Sequence, residues 1–254
     1  GKPVAYDSMI TVLSKADIVL FGELHDNAIN HRLELQVIKD LYALPNDMVV
    51  GMEMFEADDQ IVLDEYLAGT IEERHLLSEA KVWDNYGTDY RPVVEFAREN
   101  RLKVIATNIP RRYANLVFRE GIAALDGLSQ EAKQWIAPLP VKIDLTLPGY
   151  KTLGSMEGHG TNAGGSHMAL AQAIKDATMA HFIMKHRNGI VMHLNGAYHS
   201  KNYEGIQWYL RQRQKDLKII TIHSVEQQSI DGLADENLNT ADFIICIRGG
   251  TPAR

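Results

Sequence analysis

The sequence of 254 residues predicts an α/β fold in which a mainly parallel β-sheet is flanked by helices on both faces, with an additional helical portion. Short apolar runs rich in Ile and Val are typical of buried parallel strands, and four of them lie at 17–21, 47–51, 103–107 and 189–194. Segments of helical periodicity separate these runs. Strands that alternate with helices at this spacing indicate βαβ crossovers and therefore a parallel sheet.

The remaining elements follow in the same order. Asn27 is a candidate N-cap for the first helix after the first strand, and Pro92 stands in the first turn of a later one. Short helices between 110 and 135 form the additional helical portion. We place helices at about 28–44, 56–67, 90–99, 169–187 and 205–214, and further strands at 218–222 and 241–247. No linker divides the chain, so residues 1–254 are treated as a single domain.

Composition excludes several classes of protein. A net charge of -7 and the lack of a basic tract argue against a nucleic-acid partner. Cys246 is the single cysteine, which excludes an internal disulfide and a cysteine-based metal cluster. No apolar stretch is long enough to span a bilayer. The sequence also lacks the Gly-x-Ser-x-Gly elbow of α/β-hydrolases and the His-Glu-x-x-His helix of zinc proteases.

Two Gly-x-x-His motifs follow apolar runs, and they are the most informative feature of the chain. The first ends at His25 and the second at His199. We expect each glycine to let the backbone turn sharply where its strand ends. Glu53 and Asn108 follow two other strands, and the carboxyl ends of parallel strands meet at one edge of a sheet, where open α/β folds bind ligands.

His25, Glu53 and His199, with Glu23 nearby, therefore predict a site at that edge. These side chains could hold Mn, Fe, Co or Zn and leave positions open to water, as metal-assisted hydrolysis requires. They could instead act as acids and bases, or contact an anionic ligand. The alternative reading is that each strand end is polar only because it is exposed.

Residues 138–167 are rich in proline and glycine, and we predict a long mobile loop there. The loop carries Tyr150, Met156, His159 and His167, whose side chains can ligate the iron of a haem. The alternative is a flexible surface excursion with incidental histidines.

Five ordered blocks of this sequence resemble the ChaN family of bacterial haem-binding uptake lipoproteins, within the wider erythromycin-esterase and Tiki/TraB-like fold. The resemblance covers about residues 15–210, and its blocks are 19–26 (VLFGELHD), 51–55 (GMEMF), 106–111 (ATNIPR), 175–180 (KDATMA) and 193–199 (HLNGAYH). It implies haem as the cofactor, a role in iron transport, a homodimer formed on haem binding and an outer-membrane haem receptor as partner. It also implies a lipid anchor at the outer membrane, facing the periplasm, with the signal segment absent from this chain.

The family further implies a tyrosine as iron ligand. Tyr150 is the first candidate, with Tyr198 and Tyr203 behind it, and a phenolate is a suitable ligand for ferric haem. Arg111 and Arg112 could meet the haem propionates through charge-assisted bonds, or they could be solvated charges at a helix start.

The wider Tiki/TraB group implies a second function. Its members resemble metal-dependent proteases that use two Gly-x-x-His motifs and a glutamate, which correspond here to His25, His199 and Glu53. Two hypotheses therefore stand side by side: a haem-binding protein without turnover, and a metal-dependent hydrolase in which Glu23 or Glu53 moves a proton. We place haem binding first because the family resemblance is stronger there.

Overall fold

The computed structural model describes residues 1–155 and 164–250, and this part of the chain confirms the predicted α/β fold. Six strands form one sheet in the order β3-β2-β4-β1-β5-β6, and every neighbouring pair is parallel. The strands are β1 Ile18–Glu23, β2 Met48–Glu56, β3 Lys103–Asn108, β4 Ile190–Gly196, β5 Ile219–Gln227 and β6 Phe243–Arg248.

Helices cover both faces of the sheet, as predicted. One face packs against α1 Tyr6–Leu13, α2 Ala28–Tyr42, α3 Gln60–Leu67, α4 Glu73–Glu79 and α5 Arg91–Asn100. The other face packs against α6 Arg111–Glu120, α9 Gly164–His186 and α10 Ile206–Arg213, with the short helices α7 Gln130–Lys133 and α8 Pro148–Ser155 nearby. In the described residues, no helix is both long and apolar enough to cross a membrane.

The central strands supply both halves of the core. Along β1, Ile18 and Leu20 belong to one hydrophobic cluster, while Val19 and Phe21 belong to the cluster on the opposite face. This alternation follows from the two-residue period of a strand, and burial on both faces explains why the sequence shows a continuous apolar run. Asn27 caps α2 as predicted, since its Oδ1 accepts hydrogen bonds from the backbone amides of Ile29 and Asn30, both at 3.1 Å.

Three strands extend beyond their apolar runs, which corrects the predicted strand ends. Strand β1 includes Gly22 and Glu23, β2 runs on to Glu56, and β4 runs on to Gly196. The sharp turn predicted at the motif glycines is absent at Gly22, which lies within β1. Gly196 is the last residue of β4 and is followed by a 3-10 turn at Ala197–His199, but its φ of -55° does not require glycine. The polar residues at these ends are buried, and they extend the strands of the sheet instead of turning away from it.

The segment 138–167, predicted as a loop, is partly helical. Helix α8 occupies Pro148–Ser155, and α9 begins at Gly164. Pro148 at the first position of α8 is compatible with a helix, because the N–H that proline lacks would have no partner within the helix there. The number of prolines in this segment had predicted a loop instead. Cys246 lies in β6 as predicted and is partly buried.

Candidate functional site

The carboxyl ends of β1, β2 and β4 meet at the centre of the sheet, and the predicted site residues converge there. Strand β4 pairs with β1 on one side and with β2 on the other. An open cavity of about 760 Å³ lies over these ends. Its lining includes the four predicted residues Glu23, His25, Glu53 and His199.

The first histidine is oriented by a carboxylate. His25 Nδ1 lies 2.7 Å from Glu23 Oε1, which also accepts a hydrogen bond of 2.6 Å from the Tyr90 hydroxyl. The side chain of His25 is 45% exposed and meets the edge of Trp83, with 4.9 Å between ring centroids. Burial alone would lower the pKa of His25, but the hydrogen bond to Glu23 and the charge of Glu53 raise it.

The second histidine lies between two carboxylates. His199 Nδ1 is 2.6 Å from Asp176 Oδ1, and its Nε2 is 3.3 Å from Glu53 Oε1. Burial alone would lower the pKa of His199, but the two negative charges raise it to about 10. Burial would likewise raise the pKa of Glu53, yet the charge of His199 lowers it to about 2. At neutral pH this arrangement is a buried imidazolium that donates a hydrogen bond to Asp176 and forms an ion pair with Glu53.

Asp176 connects this network to helix α8. Its Oδ2 accepts a hydrogen bond of 2.5 Å from the Tyr150 hydroxyl, and both side chains are buried. Burial raises the pKa of Asp176, and the contacts with His199 and Tyr150 act in the opposite direction. The position of His199 is therefore fixed by helices α8 and α9 as well as by the sheet.

The motif glycines are needed because a side chain at either position would collide with neighbouring atoms. A Cβ atom at Gly196 would lie 2.5 Å from His25 Nε2, and one at Gly22 would lie 3.0 Å from the carbonyl oxygen of Ile222. The amide of Gly196 also donates to Glu53 Oε2 at 2.8 Å. Glycine at 196 thus allows the first histidine to lie directly against the strand that leads to the second.

Below the cavity, His193 is buried and neutral. Burial lowers its pKa to about 4, its Nδ1–H donates to Asn195 Oδ1 at 3.0 Å, and its Nε2 lies 2.8 Å from the Thr107 hydroxyl. Asn195 also donates to the Ser200 hydroxyl. Asn195 therefore braces the turn before His199 and does not contact that imidazole in the described hydrogen bonds.

Among the predicted haem-contacting residues, Tyr198 and Arg111 line the cavity. Tyr150 does not, since it is 3% exposed and bonded to Asp176. His167 lies elsewhere on α9 and donates from Nδ1 to the carbonyl oxygen of Phe118 at 3.1 Å. Arg112 forms an ion pair of 2.6 Å with Asp58. Met156 and His159 lie outside the described residues.

Three potential metal-ligand atoms converge at a place other than the predicted set of His25, Glu53 and His199. Within residues 1–155 and 164–250, the side chains whose ligand atoms all lie within 4.8 Å of one another are Glu23, His31 and Glu34. The predicted set of His25, Glu53 and His199 lines one cavity, but its ligand atoms do not reach that mutual distance in the described residues.

The sequence argument missed Asp176, Lys175 and Gln172 of α9, all of which belong to the site or its support. A signal was present, because Asp176 is a charged residue among Ala173, Ile174 and Ala177 on the buried face of a long helix. A carboxylate in that position requires a partner, and His199 is that partner.

The fold defines a class of protein that includes several solved structures. This structure is similar to ChaN of Campylobacter jejuni with cofacially bound haem, with a TM-score of 0.70 and 19% identity over 96% of this chain and 92% of that one. It is also similar to the type III effector HopBA1, with a TM-score of 0.53 and 13% identity over 95% and 92% of the two chains. The erythromycin esterase EreC gives a TM-score of 0.54 and 12% identity over 92% and 78%. At these identities the likeness establishes a shared fold.

The sequence identifies the family within that class. The family model for haem-binding uptake proteins of the Tiki superfamily, ChaN, matches residues 9–210. The chain belongs to this family. None of the curated proteins compared with the sequence matches it.

Proposed function

We propose that this protein binds haem in the cavity over β1, β2 and β4 and takes part in haem or iron uptake. The observation that carries the proposal is the family match over residues 9–210, to which the fold of a ChaN with cofacial haem adds support. The cavity, at about 760 Å³, has the size of a small-molecule site. Its lining includes apolar and aromatic side chains and the cations Arg111 and Lys175, which suit a flat apolar ring that carries two carboxylates, and it also includes four carboxylates, Glu23, Asp26, Glu53 and Glu56.

The residues of the cavity have distinct roles in this proposal. Arg111 and Lys175 meet the propionates, since guanidinium and ammonium groups form charge-assisted bonds with carboxylates. Trp83 offers a flat face to the macrocycle. Tyr198 is the iron ligand, because its ring lines the cavity and is 38% exposed.

Tyr198 replaces Tyr150 as the leading ligand for a structural reason. The hydroxyl of Tyr150 is buried and donates to Asp176, so ligation would break that bond and move α8. Burial and the charge of Asp176 raise the pKa of Tyr198, so its phenolate form depends on the positive charge of the iron.

The assembly and location follow from the family. We infer a homodimer formed on haem binding, attachment to the bacterial outer membrane through a lipid on the periplasmic side, and delivery to or from an outer-membrane receptor. The cofacial haem of the similar ChaN structure supports the dimer, and the proposed location and receptor rest on the resemblance to uptake lipoproteins.

Titration with haemin tests the proposal. We expect saturable growth of a Soret band and, by sedimentation, a shift from monomer to dimer. Tyr198→Phe should change the Soret maximum and weaken binding at least tenfold, whereas Tyr203→Phe should change neither. Tyr203 is a matched control for Tyr198, since the two are 39% and 38% exposed and, of the two, only Tyr198 lines the cavity. Absence of saturable binding with an unchanged mass would refute haem binding.

A second candidate function is hydrolysis in the same cavity. It is favoured by the fact that each histidine has a carboxylate on Nδ1, Glu23 for His25 and Asp176 for His199. This arrangement orients Nε2 and raises its basicity, as in metal-bound and general-base histidines. A divalent metal would be held by His25, Glu53 and His199 after a side-chain movement that brings their ligand atoms together.

The hydrolase can be tested with ester and peptide substrates in the presence of Zn²⁺ or Mn²⁺. We expect His25→Ala to abolish turnover and His75→Ala to leave it unchanged, since His75 lies on α4 outside the cavity. Equal rates for wild-type protein and His25→Ala would refute catalysis at this site.

A further inference from the structure

Three buried side chains converge behind His25, and of the three only Glu23 also lines the cavity. Glu23 ends β1, while His31 and Glu34 lie one turn apart on α2. They are 2%, 4% and 0% exposed, respectively. One ligand atom from each falls within 4.8 Å of the other two. Two carboxylates and an imidazole in such proximity form a site that requires a positive charge.

The outer atom of each side chain is already held by a hydrogen bond. Glu23 Oε1 accepts from the Tyr90 hydroxyl at 2.6 Å, and Glu34 Oε1 accepts from Asn30 Nδ2 at 3.1 Å. His31 Nε2 lies 3.0 Å from the backbone carbonyl oxygen of His25, which can only accept, so this nitrogen carries a proton. These bonds direct the remaining atoms toward a common centre.

The inner atoms are all acceptors when His31 is neutral. His31 Nδ1 is then a lone pair that lies 3.0 Å from Glu34 Oε2 and 3.9 Å from Glu23 Oε2. Glu23 Oε2 is buried and has no hydrogen-bond partner in the described residues. Three facing acceptors repel one another, and a buried unpaired carboxylate oxygen carries the full desolvation penalty.

A proton alone does not resolve this arrangement. If His31 Nδ1 is protonated, its single N–H serves Glu34 Oε2 at 3.0 Å and leaves Glu23 Oε2 unpaired at 3.9 Å. A proton shared between the two carboxyl groups, which burial and the charge of Glu23 favour by raising the pKa of Glu34, satisfies the oxygens but leaves the imidazole lone pair facing them. Protons therefore satisfy all three atoms only when two are present, one on His31 Nδ1 and one between the carboxyl groups. A cation at the centre contacts all three atoms at once.

We propose that Glu23, His31 and Glu34 bind a divalent transition-metal ion. Two carboxylates balance a charge of +2, and mixed oxygen and imidazole ligands suit Zn²⁺, Mn²⁺ or Fe²⁺. Hydrogen bonds from Tyr90, Asn30 and the His25 carbonyl orient the three ligands, as the outer partners of metal ligands do. The site is distinct from the set of His25, Glu53 and His199 at the cavity.

The ion would be structural. It joins β1 to α2, and two of its ligands contact His25, since Glu23 bonds the imidazole and His31 bonds the backbone carbonyl. Metal binding therefore fixes His25 at the cavity wall without taking a place in the cavity. Because free energy of binding to the folded state adds to stability, the ion should raise the unfolding temperature.

Metal content and thermal unfolding of the whole chain test the proposal. After chelation with EDTA and dialysis, one equivalent of Zn²⁺ or Mn²⁺ should bind per chain and raise the unfolding midpoint by several degrees. Glu34→Gln keeps the shape of the side chain and should lose stoichiometric binding and the shift. Glu79→Gln, at an exposed carboxylate at the end of α4, should keep both. His31→Gln is the second ligand variant if Glu34→Gln does not fold.

Each outcome decides between the alternatives. No stoichiometric metal in wild-type protein, with Glu34→Gln as stable as wild type, would overturn the proposal and assign a shared proton to the cluster. Metal retained by Glu34→Gln but lost from Glu53→Gln would also overturn it and place the ion at the cavity. Haemin binding is measured separately, so failure of the metal site and failure of the proposed haem site are distinguishable.

Discussion

Replacement of Asp176 by asparagine tests the central electrostatic feature of the site. His199 carries its charge because Asp176 at 2.6 Å and Glu53 at 3.3 Å both face it. Asp176→Asn removes one negative charge and retains a carbonyl oxygen that can accept from the imidazole. The variant therefore isolates the charge of Asp176 from its hydrogen-bonding geometry.

The expected magnitude follows from the pKa of His199. A rise from 6.5 to about 10 corresponds to about 5 kcal/mol in favour of the imidazolium, since a tenfold change is about 1.4 kcal/mol. A hydrogen bond to a charged group contributes about 1.5–3 kcal/mol. We therefore expect Asp176→Asn to lower the pKa of His199 from about 10 to roughly 8–9.

The dependence of folding stability on pH shows the direction of the expected effect. Because the folded-state pKa of His199 is raised, its contribution is complete below pH 6.5 and is lost as the pH rises through about 10. Asp176→Asn should lose this contribution at a lower pH than wild-type protein does.

The assay combines imidazole NMR titration with urea unfolding between about pH 6 and 10.5. Asp216→Asn is the control, because Asp216 is exposed and lies just before β5, at the edge of the sheet opposite the site. A wild-type His199 that titrates near 6.5, or identical pH profiles for wild-type protein and Asp176→Asn, would refute the reasoning.

Three further substitutions test other parts of the site. Gly196→Ala places a methyl group 2.5 Å from His25 Nε2, so haemin affinity should fall at least tenfold, whereas Gly87→Ala, with open space around it, should bind normally. Glu53 has a lowered pKa of about 2, so its stabilisation is present above pH 4.5 and lost toward pH 2; Glu53→Gln should therefore show a flatter acid-unfolding curve. Tyr150→Phe removes a donor to a buried carboxylate and should cost about 1.5–3 kcal/mol in urea unfolding, while an unchanged Soret maximum would exclude it as iron ligand.

The fold was predictable because its main signals are local. Apolar runs of Ile and Val and the helical periodicity between them depend on burial within single elements, and the structure confirms a parallel sheet with helices on both faces. The ends of the strands were harder to predict. The sequence predicted a turn at both motif glycines. The buried residues Gly22 and Glu23 instead continue β1, and β4 runs on to Gly196 before the chain turns.

The site was predictable in part for a related reason. His25, Glu53 and His199 follow strands, and parallel strands bring their carboxyl ends together in any such sheet. Asp176 and His31 come from helices, and whether a helical side chain turns toward the sheet edge depends on how that helix packs. The sequence therefore located the cavity but not the residues that hold its histidines in place.

The two Gly-x-x-His motifs are alike in sequence and differ in what their histidines can do. Each imidazole has a carboxylate on Nδ1, but His199 is also faced by Glu53, is 5% exposed and is held as a cation. His25 has a side chain that is 45% exposed, with Nε2 at the cavity wall. A ligand that enters the cavity can therefore reach His25 directly, whereas contact with His199 requires a break in its bond to Glu53. In the proposed site we therefore infer that His25, and not His199, is the histidine first available for ligation or proton transfer.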